Sequence, residues 1–360
     1  MTDQARTETA ASPVNPSPTA PGPAPARRPE PAQTDEAVSV TVPGKPLCTV
    51  VITSKNRKQE LEDAVASVLT QNVPLEVLVI DDASTDGTDE MIRTKFPQIR
   101  YDRAPVSRGY IVQRNRGAIM ARTPLIVSID DDATLPAVNI IEHSLRELDH
   151  PRVGAIAMPY INIFKTPDIH QKAPDDRDVY VMPAFVGTAH IIRRDLFVKL
   201  GSYREIHLHQ GEEGDLTLRM LEAGYVVRAG TAVPIRHLES PKRDFSRLFD
   251  NNARNHILYA WHNIPMPYML PRLVGMTFNL LRWGIRKKHF KASMHGVWRG
   301  YRDLFMGKLD PRRPVSQATY SASRMLSKRA PVKLSEVEGR ITRSEPLPPL
   351  DIAKRAAASR

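Results

Sequence analysis

Three consecutive acidic residues, Asp130, Asp131 and Asp132, directly follow the apolar run at residues 125–129. Carboxylates this close repel one another and lose hydration beside a buried strand, so folding requires a cation or hydrogen-bond donors to compensate. A single aspartate here would be explained as a turn residue or a helix cap, but three in a row favour a hard cation. Because oxygen ligands suit magnesium and manganese, we predict a divalent-cation site with Asp132 as ligand, assisted by Asp130. In an extended chain, Asp131 points to the opposite side.

Acidic residues recur in two other segments. Residues 81–88 (DDASTDGT) suit a ligand-binding loop, and equally a turn that leads into a capped helix. Residues 211–225 open with Glu212 and Glu213 and continue as an amphipathic helix that ends at a glycine. We expect these two glutamates to precede the helix, where a carboxylate can project into a cleft as a general base. For Asp215, interaction with the helix dipole is a sufficient role.

The elements that must position these residues alternate between strands and helices. Apolar, β-branched runs predict strands, and helical spacing of apolar residues predicts helices between them. The predicted strands cover residues 47–52, 75–80, 99–101, 125–129 and 225–229, and the predicted helices 60–69, 89–96 and 112–121. This alternation is typical of a mainly parallel sheet with right-handed crossovers, so the predicted fold class is α/β. Ligands of such sheets bind beyond the carboxyl ends of the strands, where residues 53–57, 81–87 and 130–132 should converge.

The sequence has no glycine-rich phosphate loop, since neither GxGxxG after the first strand nor GxxxxGK[ST] occurs. The phosphates of a bound nucleotide would therefore not be held by backbone amides at a helix start. A metal ion held by carboxylates is the natural substitute, in agreement with the aspartate cluster.

Composition divides the 360-residue chain into regions. Residues 1–46 hold ten prolines and almost no large apolar side chains, which predicts a disordered leader and no secretory signal. The net charge of +11 is uneven, since residues 241–360 carry 24 Lys and Arg against eight Asp and Glu. We predict an α/β domain at 47–240, a basic amphipathic helical region at 241–308 and a flexible basic tail at 309–360.

Residues 270–306 combine Trp, Phe and Leu with eight Lys and Arg. No uncharged run approaches the roughly 20 residues that span a bilayer, so no transmembrane helix is predicted. Helices that lie on an anionic membrane surface and a helical hairpin packed on the α/β domain explain the pattern equally. Nucleic-acid binding is not expected, because no recognition module occurs. Cys48 is the single cysteine, which favours a reducing, cytoplasmic compartment. Peripheral attachment at the inner face of the cell membrane is the expectation if the basic helices lie on lipid.

Six segments in order along the chain resemble the family 2 glycosyltransferases, whose nucleotide-sugar-binding fold is called GT-A. They are residues 49–57 (TVVITSKNR), 78–88 (LVIDDASTDGT), 113–117 (QRNRG), 130–132 (DDD), 193–203, and 211–225 with His237. The triple aspartate resembles the DxD motif of the family. The resemblance covers just over half of the chain and implies a Rossmann-like, mainly parallel twisted sheet flanked by helices.

The resemblance also implies roles for matching residues. Asp132 matches the carboxylate that reaches the diphosphate-bound cation, and Asp130 matches the first aspartate of the motif. His237, which alone would be a structural histidine, matches a further metal ligand of some members. Glu213 matches the second acid of the usual Glu-Asp pair, the expected catalytic base. Because Glu replaces Asp there and moves the carboxylate, Glu212 is kept as the alternative base.

On the donor side, Thr53 and Asp82 match positions that hold the nucleotide base, and Arg114 lies in a motif near the donor. The residues assigned to donor binding are Thr53, Asn56, Asp82, Arg114, Asp130 and Asp131. A departure from the family pattern at Tyr203, Arg204 and Glu205, where Phe-Asp-Glu is common, predicts an unusual acceptor side.

These assignments imply a metal-dependent, inverting transferase that moves a hexosyl or deoxyhexosyl group from a nucleotide sugar to a hydroxyl of a glycan or lipid-linked acceptor. The implied cofactor is Mn²⁺ or Mg²⁺, and the implied setting is cell-envelope polysaccharide or glycoconjugate synthesis. One alternative is a nucleotidyltransferase with a similar α/β metal site, which would release pyrophosphate. The other is a catalytically degenerate scaffold, against which intact Asp130, Asp132, Glu213 and His237 speak.

Overall fold

The computed structural model describes residues 44–239, 244–306, 309–342 and 345–347. Most of the predicted leader, residues 1–43, and the end of the predicted tail, residues 348–360, lie outside the described residues. The strands are β1 Cys48–Ser54, β2 Leu75–Asp81, β3 Arg100–Arg103, β4 Leu125–Asp130, β5 Ala133–Thr134, β6 Val153–Ala157, β7 Tyr160–Asn162, β8 Ile169–His170, β9 Tyr180–Met182, β10 His190–Arg193, β11 Val226–Ala229, β12 Ile235–His237 and β13 Val332–Lys333. The helices are α1 Lys58–Leu69, α2 Thr88–Lys95, α3 Tyr110–Met120, α4 Ile140–Arg146, α5 Arg194–Lys199, α6 Glu212–Glu222, α7 Phe245–Asn263, α8 Met269–Arg286, α9 Phe290–Phe305, α10 Gln317–Arg329 and α11 Leu334–Val337.

The larger sheet has the strand order β13-β9-β11-β6-β10-β4-β1-β2-β3. The block β4-β1-β2-β3 is parallel throughout, and β10 is antiparallel to both of its neighbours. All seven residues of β1 are buried, because Val50 packs with residues of α1 on one face and Val51 with residues of α3 on the other. This architecture confirms the predicted α/β class with a mainly parallel sheet flanked by helices.

The carboxyl ends of the central strands lie side by side. Thr53 near the end of β1 pairs with Ile80 of β2 on one side and with Asp130 of β4 on the other. The polar segments that follow these strands therefore meet at one edge, as predicted from the βαβ pattern.

Helix α3 packs closely on β1 at Gly117. A Cβ atom at this position would lie only 2.4 Å from Cγ1 of Val51, so only glycine permits this approach. The first half of α3 consequently reaches the end of β4, where Arg114 contacts Asp130.

A second, four-stranded sheet has the order β5-β12-β7-β8. Strand β5 follows the triple aspartate directly, and His237 of β12 pairs with Ala133 of β5. This pairing places the histidine beside Asp132. The sheet was not predicted, because strands of two or three residues are too short to show an alternating pattern in the sequence.

Helices α7, α8 and α9 pack against one another around an apolar core of their own. The part of the chain that follows differs from the predicted flexible tail. Residues 317–342 include α10, β13 and α11, and Val332 of β13 pairs with Val181 of the large sheet. Leu326, Leu334 and Val337 are buried there, spaced among Ser, Lys and Arg, so the average composition conceals them. None of the described helices is long and apolar enough to cross a bilayer.

Candidate active site

Asp130, Asp132 and His237 form a cluster at the end of β4. Each offers one ligand atom such that these atoms lie within 4.8 Å of one another. Nε2 of His237 lies 3.1 Å from Oδ1 of Asp132 and 4.0 Å from Oδ2 of Asp130. The two aspartates come from the strand end and the following turn, while the histidine arrives on β12 through its pairing with β5.

The cluster fits a divalent cation. Nδ1 of His237 lies 2.7 Å from Oδ1 of Asn162, so Nδ1–H donates to that amide and Nε2 faces the aspartates. Nε2 of His237 and Oδ1 of Asp132 are buried, and neither has a hydrogen-bond partner of good geometry in the described part of the chain. A nitrogen lone pair facing a carboxylate oxygen requires a proton or a cation between them. Two carboxylates and an imidazole are a ligand set suited to Mn²⁺.

The charges around Asp132 keep it ionised. Burial raises the pKa of Asp132, but the adjacent imidazole of His237 and the guanidinium of Arg57 outweigh burial and lower it to about 2. Burial lowers the pKa of His237, but Asp132 and Asp130 outweigh it and raise the pKa above its ordinary value. Nη1 of Arg57 lies 2.6 Å from Oδ2 of Asp132. Asp132 is therefore an anion at neutral pH, as a metal ligand must be.

Asp131 does not join this cluster. Its carboxylate accepts hydrogen bonds from Ser54 Oγ at 2.7 Å and from Arg57 Nη1 at 3.1 Å. Burial raises the pKa of Asp131 to about 7 against the opposing charge of Arg57. The carboxylate of Asp131 is therefore engaged in contacts within the protein that fix the strand ends. The sequence, by contrast, assigned this residue to donor binding.

Arg114 links the cluster to the acidic start of α6. Its guanidinium contacts Asp130 at 2.5 Å, Glu212 at 3.2 Å and Glu213 at 3.9 Å. Only 8% of the Arg114 side chain is exposed. A Cβ atom on Gly187 would lie 2.3 Å from Nη1 of Arg114, so any larger residue there would have to displace the guanidinium. One buried cation thus serves three carboxylates.

Glu212 and Glu213 are the first two residues of α6, a correction to the expectation that they precede the helix. Glu212 is completely buried, whereas 20% of the Glu213 side chain is exposed. Oε1 of Glu213 accepts a hydrogen bond from the backbone N–H of Gly187 at 3.1 Å. Burial, together with the charge of Glu213, raises the pKa of Glu212 to about 8, and burial also raises the pKa of Glu213. The pair therefore holds a proton more readily than ordinary glutamates do.

The residues assigned to the nucleotide base lie at the ends of β1 and β2. Asn56 connects these two loops, since its backbone N–H donates to Ser84 Oγ at 2.9 Å and its Oδ1 accepts from the N–H of Thr85 at 2.7 Å. Thr53 is almost completely buried in β1.

Both carboxylate oxygens of Asp82 are engaged by the segment that leads into α3. They accept hydrogen bonds from Ser107, the backbone of Arg108 and Gly109, and Gln113. Burial raises the pKa of Asp82, but these hydrogen bonds outweigh it and lower the pKa. In this structure Asp82 therefore orders residues 107–113.

Asp215 has a larger role than interaction with the helix dipole. It is completely buried and is contacted by Arg204, by Arg219 at 2.7 Å and by Nδ2 of Asn263 at 2.7 Å. Burial raises its pKa, but His207 and the two arginines outweigh burial and hold the pKa well below the usual range. Arg204 is the residue at which the sequence departs from the family pattern, and this ion pair gives it a partner. Helix α6 is thereby tied to α7.

Sequence reasoning missed several residues of the site. Arg57 is the last residue of the motif TVVITSKNR, and its position there could have identified it as a basic residue of the site. Asn162 and Gly187 lie in segments without a recognisable pattern, and only the tertiary structure brings them to His237 and Glu213.

Known proteins resemble this chain in sequence and in fold. Residues 49–201 match the family model described as glycosyl transferase family 2. The protein TuaG of Bacillus subtilis (strain 168), described as a teichuronic acid biosynthesis glycosyltransferase, is 37% identical over 81 residues, which are 22% of this chain and 29% of that protein. The match thus spans less than a third of that curated relative. The structure of the mannosyltransferase PcManGT from Pyrobaculum calidifontis in complex with GDP-Man and Mn²⁺ aligns with a TM-score of 0.50 at 20% identity, over 81% of this chain and 84% of that one. This likeness confirms the predicted GT-A fold.

Proposed function

We propose that the protein transfers a hexosyl or deoxyhexosyl group from a nucleoside diphosphate sugar to an acceptor hydroxyl, because residues 49–201 match the family model of glycosyl transferase family 2. The observation that carries the proposal is the Asp130, Asp132 and His237 cluster, which is joined through Arg114 to the acidic start of α6. The ligands of a cation that would bind the diphosphate, and the proposed general base, thus both lie within reach of one arginine.

Asp130, Asp132 and His237 would hold a divalent cation, Mn²⁺ or Mg²⁺. When bound, such a cation neutralises negative charge that develops on the leaving diphosphate. Asn162 orients the imidazole through Nδ1, and Arg57 holds the carboxylate of Asp132 in place. Thr53 and Asn56, at the neighbouring strand end, line the side of the sheet proposed for the donor nucleotide.

Glu213 is the proposed general base. Its side chain is partly exposed, so an acceptor hydroxyl can reach it, whereas Glu212 is enclosed. With its pKa raised to about 8, Glu212 keeps its proton at neutral pH. As the acceptor oxygen bonds to the anomeric carbon, its proton passes to Glu213 and the bond to the diphosphate breaks. Attack from the face opposite the leaving group inverts the configuration at the anomeric carbon.

A screen of nucleotide sugars with and without Mn²⁺ tests this function. We expect release of a nucleoside diphosphate by the wild type and by Asp195→Asn, which alters a side chain that is 91% exposed, and no release by Asp132→Asn. Release of pyrophosphate would instead identify a nucleotidyltransferase, and no turnover with any donor would favour the scaffold. Retained anomeric configuration in the product, measured by NMR, would contradict the inverting mechanism.

We further place the reaction in cell-envelope polysaccharide or glycoconjugate synthesis in the cytoplasm, on a glycan or lipid-linked acceptor. Two observations support this proposal. The Bacillus relative is described as a glycosyltransferase of teichuronic acid biosynthesis, and the structure of PcManGT contains GDP-Man.

Attachment to the inner face of an anionic membrane belongs to the same proposal. The inner faces of α8 and α9 pack in the C-terminal core, but each helix also exposes a stripe of large apolar residues. These exposed residues are Leu270, Val274, Phe278, Ile285, Phe290, Met294, Trp298 and Phe305. Basic residues at 282, 286–288 and 291 adjoin the stripes, and each Lys or Arg near such a surface contributes about 1 kcal/mol. An apolar face bordered by cations suits anionic lipid headgroups above acyl chains.

Vesicle flotation tests the attachment. We expect the wild type to float with vesicles that contain phosphatidylglycerol, and to float less at high salt or with phosphatidylcholine alone. Phe278→Ser should weaken binding at least about tenfold, because its exposed ring no longer enters the interface. The matched control Ile119→Ser changes a similarly exposed apolar residue on α3 and should bind normally. Equal binding of both variants would contradict the assignment of this surface.

A further inference from the structure

Two adjoining cavities lie beside α7 and α8. One has a volume of about 380 Å³ and is lined by residues of α7 and α8. The other, of about 260 Å³, extends to Gly211 and Gly214. Asn252, His256 and Arg272 line both cavities. Because Gly211 and Gly214 flank Glu212 and Glu213 in the sequence, the second cavity reaches the helical turn that carries the proposed base.

Arg272 supplies a positive charge to the lining of both cavities. No Asp or Glu lines either cavity within the described ranges. Nε of Arg272 is buried, and no hydrogen-bond acceptor for it is present among the described residues. A buried guanidinium donor without an acceptor destabilises the structure unless an external anion supplies one. Asn279 and Ser323 add further polar groups to the lining.

The outer cavity also has an apolar wall. Met276, Leu280 and Trp283 line it together with Arg272, all on α8. The same helix exposes the apolar stripe that includes Phe278. An anionic group held at Arg272 would therefore have room for an attached alkyl chain along α8.

We propose that the two cavities form a binding site for an anionic group of the acceptor, a phosphate or a carboxylate, with Arg272 as its ligand. That the bound anion belongs to the acceptor rests on the proposed function. The position of the site fits this role, because it extends from the outer surface of α8 to the turn that carries Glu213. A charge-assisted hydrogen bond at Arg272 orients the acceptor, and the hydroxyl to be glycosylated lies toward α6.

Calorimetric titration with octyl phosphate, kept below its micelle concentration, tests the site. The wild type should bind, and Arg272→Gln should weaken binding at least about tenfold, as expected for the loss of a hydrogen bond between charged groups. Arg247→Gln is the matched control, since it removes the same charge from an exposed position of α7, a helix that also lines both cavities. Asn279→Asp, a second variant at an exposed position of the lining, should weaken binding by repulsion. Octyl glucoside, a neutral probe with the same chain, should bind at least about tenfold more weakly than octyl phosphate.

The outcomes distinguish a free anion from an alkyl-linked headgroup, and failure of the anion site from failure of the proposed function. Competition by inorganic phosphate supports a site for the free anion, and binding of octyl phosphate without such competition supports a site for an alkyl-linked headgroup. Equal affinity of the wild type and Arg272→Gln, or equal weakening by Arg247→Gln, would overturn the proposal. Metal-dependent hydrolysis of the nucleotide sugar by the wild type in the absence of acceptor tests the proposed function separately. If the wild type hydrolyses no donor while Arg272-dependent binding persists, the proposed function fails and the anion site stands.

Discussion

Replacement of Arg114 by methionine should destabilise the protein far more than an ordinary ion-pair deletion. The change leaves Asp130 and Glu213 without their cation and, once Glu212 ionises, leaves an uncompensated charge on a completely buried carboxylate. Removal of one partner from a buried ion pair costs about 3–5 kcal/mol of unfolding free energy. Because 29% of the Asp130 side chain remains exposed to water, we expect the lower end, about 3 kcal/mol.

A second arginine on the same helix provides the control. Arg116 pairs with Asp102 at 2.7 Å, but 38% of its side chain is exposed. Arg116→Met should therefore lower the unfolding free energy by less than about 1 kcal/mol. The assay is urea denaturation followed by circular dichroism at about pH 7 with chelator present, so that no metal ion contributes to stability.

The pH dependence sharpens this test. In the wild type the pKa of Glu212, already raised to about 8, would be higher still without the charge of Arg114. Arg114 stabilises the ionised form, so its contribution grows as the pH rises through this pKa. The loss in Arg114→Met should therefore increase between about pH 6 and pH 9. A loss equal to that of Arg116→Met, or one that shrinks as the pH rises, would refute the assignment of Arg114 as the shared counterion.

Three further predictions concern the acids of α6. Glu213→Gln should lower kcat about 10²–10⁴-fold with a small change in the KM of the donor, while Glu212→Gln should lower it less; a larger effect at Glu212 would exchange their roles. Because burial raises the pKa of Glu213, the acid limb of the wild-type kcat profile should have its midpoint above the ordinary value of 4.5, and a midpoint at or below that value would argue against this base. Asp215→Asn should lower the unfolding free energy by about 3–5 kcal/mol at neutral pH, because Arg204 and Arg219 lose a buried partner. Asp195→Asn, in an exposed carboxylate, should change it by less than about 0.5 kcal/mol, and similar losses in both would contradict the buried network.

The sequence predicts the parallel half of the fold well, because its signals are local. Apolar runs such as residues 125–129 and helical spacing at 112–121 need no tertiary information, and the triple aspartate follows the strand directly. Once a βαβ order is recognised, convergence of the strand ends at Thr53 and Asp130 follows from topology.

The remainder depends on contacts between distant segments. Asn162 meets His237 through the pairing of β7 with β12, strands too short for a sequence pattern. Arg114 reaches the acids of α6 across about a hundred residues, and nothing local marks Gly187 as the residue that admits it. The ordered residues 317–342 were missed because their few buried apolar side chains are dispersed among polar ones.

Mn²⁺ binding, measured from the electron paramagnetic resonance signal of the free ion in the presence of a nucleoside diphosphate, tests the central claim most directly. Asp132→Asn and His237→Asn should each weaken Mn²⁺ binding at least about tenfold, because each removes a ligand of the cluster. Asp131→Asn, one residue away and directed to Ser54 and Arg57, should retain wild-type affinity. Unchanged Mn²⁺ affinity in both Asp132→Asn and His237→Asn would contradict the account.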